Sequence, residues 1–198
     1  MKLKRTFSII CILVVISIQL SGCTTSKTPQ SDYDSYPTTE KLVKASDVIV
    51  SSEVIKGGQV KKIDTGTNKN RDKQQIASDT VTYTVSQFKV DEVIKGNLKI
   101  GDIINVKQLG DKSGDVDKLI VENGGYYKKG SSLVLFLASF EDISPGTPYS
   151  VLNPIQGQVE FVNNEIKVNK KANLLKGEAN KSKSKFIAEI TEIAKNQR

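Results

Sequence analysis

The chain has 198 residues and a formal net charge of +7 at pH 7, from 29 Lys and Arg against 22 Asp and Glu. It contains neither histidine nor tryptophan. The lack of histidine removes the most frequent metal ligand and the usual proton-transfer group near neutral pH, which excludes histidine-based catalytic and metal sites. The length is sufficient for one domain with its own hydrophobic core.

The N-terminus has the organisation of a secretory signal peptide. A basic start over Met1–Arg5 is followed by an apolar stretch from Phe7 to Ile18. This stretch ends at Gln19, short of the roughly 20 apolar residues that a membrane-spanning helix requires. The sequence therefore predicts a cleavable signal peptide over residues 1–22.

The residues that lead into Cys23 indicate which type of signal this is. Leu20-Ser21-Gly22-Cys23 resembles the bacterial lipobox, and the resemblance implies that Cys23 receives diacylglycerol. Two acyl chains anchor a protein stably, whereas one chain holds it only marginally. We therefore expect a lipoprotein on the extracytoplasmic face of the cell membrane, which it contacts through the lipid on Cys23. The alternative is an ordinary secretory signal in which this cysteine occurs by chance.

The segment after Cys23 is too polar to form part of a core. Residues 24–37 contain no aliphatic side chain, so they cannot bury enough surface to offset the entropy of ordering them. We predict a flexible tether over residues 23–37 and a single domain over residues 38–198. Thr38 or Thr39 is expected to cap a short helix at the start of this domain.

The first predicted strand and the loop after it differ sharply in polarity. The strand covers Val48–Ile55 and is expected to end at Gly57-Gly58. The polar residues Gln59–Asp79 follow, with a basic run at Lys69–Lys73. This run has no interleaved aromatic residue to stack on a base, so we predict a mobile, solvated loop and no nucleic-acid partner.

A change of phase marks the second predicted strand. Val81, Tyr83 and Val85 alternate on one face, whereas Phe88 continues in the opposite phase. A side-chain period of two makes such a slip near Ser86-Gln87 turn the pattern over, and a β-bulge restores it. Because bulged strands coil, we expect them to build a small barrel.

Later patterns complete the predicted elements. A third strand is expected over Ile103–Val106, and the continuously apolar Leu133–Leu137 is typical of a strand covered on both faces. Asn163-Asn164 between two apolar runs indicates a tight hairpin. Apolar residues at helical spacing predict an amphipathic helix over about residues 183–197. We expect this helix to cover an open end of the barrel, with a helix lying on the membrane surface as the alternative.

Four short motifs occur in a recognisable order: Ala45–Val50, Phe88–Gly96, Tyr127–Gly130 and Leu133–Phe136. Their order resembles that of Gram-positive membrane lipoproteins with a netrin-like or metalloproteinase-inhibitor-like OB barrel. With the patterns above, the resemblance gives the predicted fold class: mainly β, a small OB-like barrel with bulged strands, plus a C-terminal α-helix. This chain lacks the disulfide cysteines of that type. Such inhibitors chelate zinc through an N-terminal cysteine, and because Cys23 is predicted to be lipidated, we do not expect that mode of inhibition here.

Acidic residues between the third and fourth predicted strands partly match a calcium-binding loop. Oxygen ligands at the required spacing would come from Asp111, Asp115, Asp117 and Glu122. The glycine that such a loop requires is replaced by Val116, so an acidic surface loop is favoured and the four residues are weak metal candidates. No cofactor is predicted.

The residue types available favour binding over catalysis. With no histidine, and with Cys23 as the only cysteine after the signal peptide, the chain offers no histidine-paired or thiol nucleophile. We therefore predict an interaction module, not an enzyme, whose partner is a protein or another envelope component. Two alternatives stay open: an envelope hydrolase that uses paired carboxylates, and a structural accessory lipoprotein.

Overall fold

The computed structural model describes residues 33–64, 80–114, 120–121, 125–167 and 181–197. The chain is mainly β, with 45% in strands and 17% in helices. The helices are α1 (Thr39–Ala45) and α2 (Lys183–Lys195). The strands are β1 (Val48–Asp64), β2 (Thr80–Lys95), β3 (Ile103–Leu109), β4 (Ser132–Ala138), β5 (Tyr149–Val151), β6 (Gln158–Val162) and β7 (Glu165–Ile166).

The described strands form one sheet whose first five strands close into a ring. The order is β1-β2-β3-β5-β4-β6-β7, and an additional pairing between β1 and β4 joins the two ends of the five-stranded part. Only β3 and β5 pair in parallel among these strands. The ring is barrel-like without being evenly round. The predicted fold class, a small OB-like barrel with bulged strands and a C-terminal helix, is confirmed.

Strand β1 is longer than its sequence pattern predicts. It pairs with β4 over its first part, from Val48 to Glu53, and with β2 as far as Asp64. The prediction that it ends at Gly57-Gly58 is therefore wrong, and Gln59–Asp64 is strand rather than loop. Backbone pairing does not require apolar side chains, so a polar two-stranded ribbon can extend beyond the barrel. The rest of the predicted loop lies outside the described residues.

The prediction of a β-bulge in β2 near Ser86-Gln87 is wrong, because the irregularity at this point of the ladder lies in β1. The register between β1 and β2 shifts between Val54 and Lys56 and again between Lys56 and Gln59, next to Gln87. The extra residues belong to β1, because β2 pairs with β3 in unbroken register from Tyr83 to Lys89. Thr84 and Ser86 are buried at alternate positions of β2, in phase with Phe88 and Val90. Two polar residues therefore occupy inward positions, which is why the apolar pattern of the sequence breaks there.

Two apolar layers lie on either side of the barrel wall, and β4 contributes to both. Leu133, Leu135 and Leu137 belong to the interior cluster with Phe88. The intervening Val134 and Phe136 belong to an outer cluster that includes residues of both helices. The prediction that this strand is covered on both faces is confirmed.

The two helices pack together on one outer wall of the barrel. Thr38 caps α1 by accepting a hydrogen bond from the backbone N–H of Lys41, one of the two caps predicted. The buried stripe of α2, which includes Phe186 and Ile190, packs in the outer cluster with Phe136. Packing of this helix is confirmed, although it covers the outer wall rather than an open end. No helix of the described residues is long and apolar enough to cross a membrane.

Local contacts define two further parts of the domain. Asn163 and Asn164 have positive φ angles of 52° and 67° between β6 and β7, which confirms the predicted hairpin. At the end of the predicted tether, Tyr36 exchanges two hydrogen bonds of 2.9 Å with the side chain of Gln156. The loop between β5 and β6 therefore receives the chain where it enters the domain. Residues 23–32 lie outside the described part.

Candidate binding site

The structure describes one of the four predicted metal candidates. Of these, Asp111 alone is described; Asp115, Asp117 and Glu122, like Cys23, lie outside the described residues. One carboxylate oxygen of Asp111 accepts hydrogen bonds from the backbone N–H and the hydroxyl of Ser113, at 2.7 and 2.6 Å. These bonds lower the pKa of Asp111 and form a turn that accounts for the residue without a metal.

No group of three or more His, Cys, Asp or Glu in the described ranges is arranged to hold a metal ion. Because three of the four candidates are not described, the weak metal prediction stays a prediction. The hydrogen-bonded turn at Asp111 fits the surface-loop interpretation that the sequence favoured.

The outward side of β2 and β3 follows from the residues that point inward. Phe88 and Val90 of β2 and Val106 of β3 lie in the interior cluster. Because successive side chains of a strand point to opposite faces, the residues that alternate with these three face outward. Residues that are directly opposed on antiparallel strands share a face. The opposed outward pairs are Tyr83 with Leu109, Val85 with Lys107, Gln87 with Asn105, and Lys89 with Ile103.

Strand β1 adds a third row to the same side. Its residues opposite Gln87, Val85 and Tyr83 are Lys56, Gln59 and Lys61. A fourth β1 residue, Glu53, lies opposite Lys89. We call the outward side chains of these three strands the β2–β3 face; it consists of Glu53, Lys56, Gln59, Lys61, Tyr83, Val85, Gln87, Lys89, Ile103, Asn105, Lys107 and Leu109.

A buried lysine lies near one end of this face. Lys107 is only 8% exposed. Its Nζ atom lies 4.1 Å from the centre of the Phe140 ring and 5.0 Å from the centre of the Tyr83 ring. A cation over an aromatic ring is stabilised electrostatically, which offsets part of the cost of removing the charge from water. Burial lowers the pKa of Lys107 and raises that of Tyr83.

Phe140 reaches Lys107 from the connection between β4 and β5. The carbonyl of Phe140 accepts hydrogen bonds from the backbone N–H groups of Ile143 and Ser144, at 3.0 and 2.7 Å. The Glu141 carboxylate accepts one from the N–H of Gly146 at 3.2 Å. These bonds organise a turn that brings the Phe140 ring over the lysine and leaves Ile143 85% exposed at its tip.

Most other side chains of the face are polar and accessible; Ile103 and Leu109 are apolar members, and Val85 is buried. Lys56, Gln59 and Lys61 are exposed, as are Lys89 and Asn105. The side-chain amide of Gln87 donates to that of Asn105 at 3.4 Å, a long contact. The face thus combines ammonium groups and amides beside the ring of Tyr83, which suits recognition of a polar ligand by hydrogen bonds and charge.

The buried tyrosine Tyr127 has a structural role on the other side of the wall. Its hydroxyl donates to the side-chain oxygen of Gln158 at 2.5 Å, and its ring meets the edge of Phe88 with 4.9 Å between centres. Burial raises the pKa of Tyr127 far above its usual range, so it stays neutral. These contacts fill the barrel interior and do not open onto the β2–β3 face.

Comparison of the chain with known proteins leaves the resemblance to netrin-like lipoproteins an expectation. No family model matches it, and no curated protein or solved structure matches it. The functional argument therefore depends on the geometry of the β2–β3 face.

Sequence reasoning did not identify the Tyr83, Lys107 and Phe140 cluster. In the sequence, Tyr83 is one member of an alternating apolar pattern. This alternation shows that Tyr83 shares a face with Val81 and Val85, but not that the face is a binding site. Lys107 follows an apolar strand pattern, and Phe140 lies in a connection with no motif. Only strand pairing between distant segments brings the three together.

Proposed function

We propose that this protein is a lipid-anchored lipoprotein on the extracytoplasmic face of the cell membrane and that its barrel is a binding module. The N-terminal charge, the apolar stretch and the lipobox-like residues before Cys23 support the anchor. The β2–β3 face supports the binding role. Small OB barrels commonly bind ligands on this face and its adjoining loops, and the analogy gives a location but not a ligand.

One observation carries the binding proposal: the structure leaves Lys107 buried between two rings with no ion-pair partner among the described residues. A buried cation without a carboxylate costs stability. Such a cost is common at functional sites, where local stability is given up for recognition. Exposed amides and lysines beside it extend the polar surface that a ligand would contact.

The hydrolase alternative requires two buried carboxylates that face each other. Among the residues that the structure describes, no Asp or Glu is buried. No observation therefore favours this alternative over binding. A substrate-turnover assay with Asp→Asn and Glu→Gln variants separates the two functions.

Lipid attachment is tested by changing the proposed acceptor. Cys23→Ser should abolish incorporation of a fatty-acid analogue, because serine cannot form the thioether. Cys11→Ser is the matched control, since Cys11 lies in the apolar stretch of the signal and its loss should leave labelling intact. Labelled Cys23→Ser protein would refute the anchor.

Binding through the β2–β3 face is tested with a photoreactive amino acid placed at one of two exposed positions. Asn105 lies on the face, whereas Ser184 lies on α2. In living host cells, irradiation should give a discrete adduct from position 105 and none from position 184, with the attached molecule identified by mass spectrometry. Adducts from position 184 alone would place the binding surface on the other wall and contradict the proposal.

A further inference from the structure

Each strand of the β2–β3 face carries a lysine and an amide at neighbouring outward positions. Gln59 lies between Lys56 and Lys61 on β1, and Gln87 precedes Lys89 by two residues on β2. On β3, Asn105 precedes Lys107 by two residues. Because residues two apart on a strand share a face, each strand presents a neutral amide beside an ammonium group.

Among the described residues, the lysines of this face form no ion pair. The ion pairs seen within the described ranges involve other lysines: Lys167, Lys181 and Lys183. Glu53 lies opposite Lys89 in the register, yet these two side chains form no ion pair within 4.0 Å. The face therefore carries four lysines against the single carboxylate of Glu53. An excess of positive charge attracts a ligand of the opposite sign, so the ligand of this face is expected to be anionic.

The dimensions of the face suit an extended ligand. Neighbouring strands lie about 4.8 Å apart, and residues two apart on one strand are separated by about 6.7 Å. Three strands with four outward rows therefore span roughly 10 Å by 20 Å. A single small anion would meet only one or two of the lysines, whereas a polymer lying along the strands would meet several.

We infer that the ligand of the β2–β3 face is an anionic glycan, an extended polymer of sugars or polyols that carries phosphate or carboxylate groups. This inference rests on the proposed binding function and names its ligand class. Lysines would pair with the acidic groups, and the amides would exchange hydrogen bonds with hydroxyls. The neighbouring amide and ammonium groups on each strand match a polymer that carries hydroxyls and acidic groups close together.

Other polyanions fit this face less well. An extended acidic peptide gains its affinity from a free strand edge, but β2 pairs with β1 and β3, and β3 pairs with β2 and β5. The middle strand of the face, β2, therefore offers side chains and no backbone edge. Strand β3 is covered by β5 at Val106 and Lys107. A nucleic acid requires aromatic side chains on which successive bases stack, and among the outward residues of the three strands only Tyr83 is aromatic.

The inference is tested by titrating full-length protein in neutral detergent with fluorescent polygalacturonate, a carboxylated glycan. Neutral dextran, poly-L-glutamate, oligothymidylate and anionic phospholipid vesicles are the comparison probes. The face variant replaces Lys56, Lys61 and Lys89 by Gln. The control variant makes the same change at Lys41, Lys185 and Lys195, which are exposed on the two helices.

We expect the face variant to bind polygalacturonate about tenfold more weakly at low salt and to lose part of the salt dependence. The control variant should change affinity less than about twofold, because its charge change is equal but its lysines lie elsewhere. Neutral dextran should not compete. Equal losses in the two variants would overturn the assignment to this face.

Each comparison probe has a result that counts against the glycan. Equal or tighter binding of poly-L-glutamate, oligothymidylate or vesicles would overturn the ligand class, and competition by neutral dextran would overturn the requirement for anionic groups. Failure to bind polygalacturonate at all would also refute the inference. In that case the photo-cross-link from position 105 decides separately whether the face binds another partner, so the two proposals fail by different results.

Discussion

Two outer walls of one barrel differ in what covers them. The first, which we call the helix-covered wall, includes Ile49, Val134 and Phe136 and is buried beneath α1 and α2. The second, the β2–β3 face, carries amides and lysines. Its residues do not belong to the apolar cluster to which the described helices contribute. Strand β1 takes part in both walls, since its first part belongs to one and its second part to the other.

The comparison shows where the chain uses its residues for stability and where it does not. On the helix-covered wall, outward residues of β4 are apolar and fully buried, and burial of such side chains is the main stabilising contribution. On the β2–β3 face, a buried position is occupied by Lys107. A surface that accepts a buried charge is not explained by folding alone, which is the reason for assigning it to binding.

The largest expected effect is loss of packing on the helix-covered wall. Phe186→Ala should lower the free energy of unfolding by about 3–5 kcal/mol, because Phe186 is 2% exposed within the outer cluster. Ile103→Ala on the β2–β3 face should change it by less than about 0.5 kcal/mol, since Ile103 is 60% exposed. Urea unfolding measures both. Similar losses for the two variants would remove the difference between the walls.

A smaller effect is expected at the bend where β1 passes from one wall to the other. A Cβ atom added at Gly58 would lie 2.1 Å from Cγ2 of Thr84, whose hydroxyl is held by the carbonyl of Gly110 at 2.9 Å. Gly58→Ala should therefore cost about 1–3 kcal/mol by overpacking, measured by urea unfolding.

The controls for this prediction are a neighbouring glycine and a compensating change. At Gly57 the nearest atom to an added Cβ is the carbonyl oxygen of Tyr127 at 3.7 Å, so Gly57→Ala should be close to neutral. Adding Thr84→Ser to Gly58→Ala removes the clashing methyl group and should restore part of the stability. No recovery in the double variant would show that another contact constrains the bend.

The smallest expected effect is the pH dependence that Lys107 contributes. Burial lowers its pKa in the folded protein below the ordinary value of 10.5, so between these two values the unfolded chain binds more protons. Raising the pH through this interval therefore favours the folded state. Lys107→Met removes the cost of burying the charge. Its free energy of unfolding should therefore exceed that of the parent protein most at pH values below the interval, and the difference should shrink as the pH approaches 10.5. A pH-independent difference in unfolding free energy would contradict this.

The sequence predicted the elements whose residues carry a local signal. The unbroken apolar run of β4, the helical spacing in α2 and the turn at Asn163-Asn164 each have a period or residue type specific to one structure. The second part of β1 could not be predicted in this way, because Gln59–Asp64 is polar and its pairing is a backbone interaction. The sequence pattern places the bulge in β2 because two inward positions of that strand are occupied by polar residues, Thr84 and Ser86. The apolar alternation therefore does not reveal which side of β2 faces inward.

The sequence predicted that some exposed face of the barrel binds a partner, but it did not identify which face. Its lysines are unremarkable in the sequence, since Lys56 and Lys61 come from a segment interpreted as partly loop and Lys107 from the end of a strand. Register brings these residues together, and register between distant strands depends on tertiary pairing that a local pattern does not contain. The cation and ring cluster around Phe140 depends on the same long-range pairing.

The central claim, that the β2–β3 face and not the helix-covered wall binds a ligand, is tested most directly by lysine footprinting. Full-length protein is acetylated briefly with and without saturating polygalacturonate, and modification is quantified at each lysine by mass spectrometry. The account predicts protection of Lys56, Lys61 and Lys89, with Lys185 and Lys195 on α2 unchanged. Protection of the helix lysines while those of the face stay reactive would contradict it.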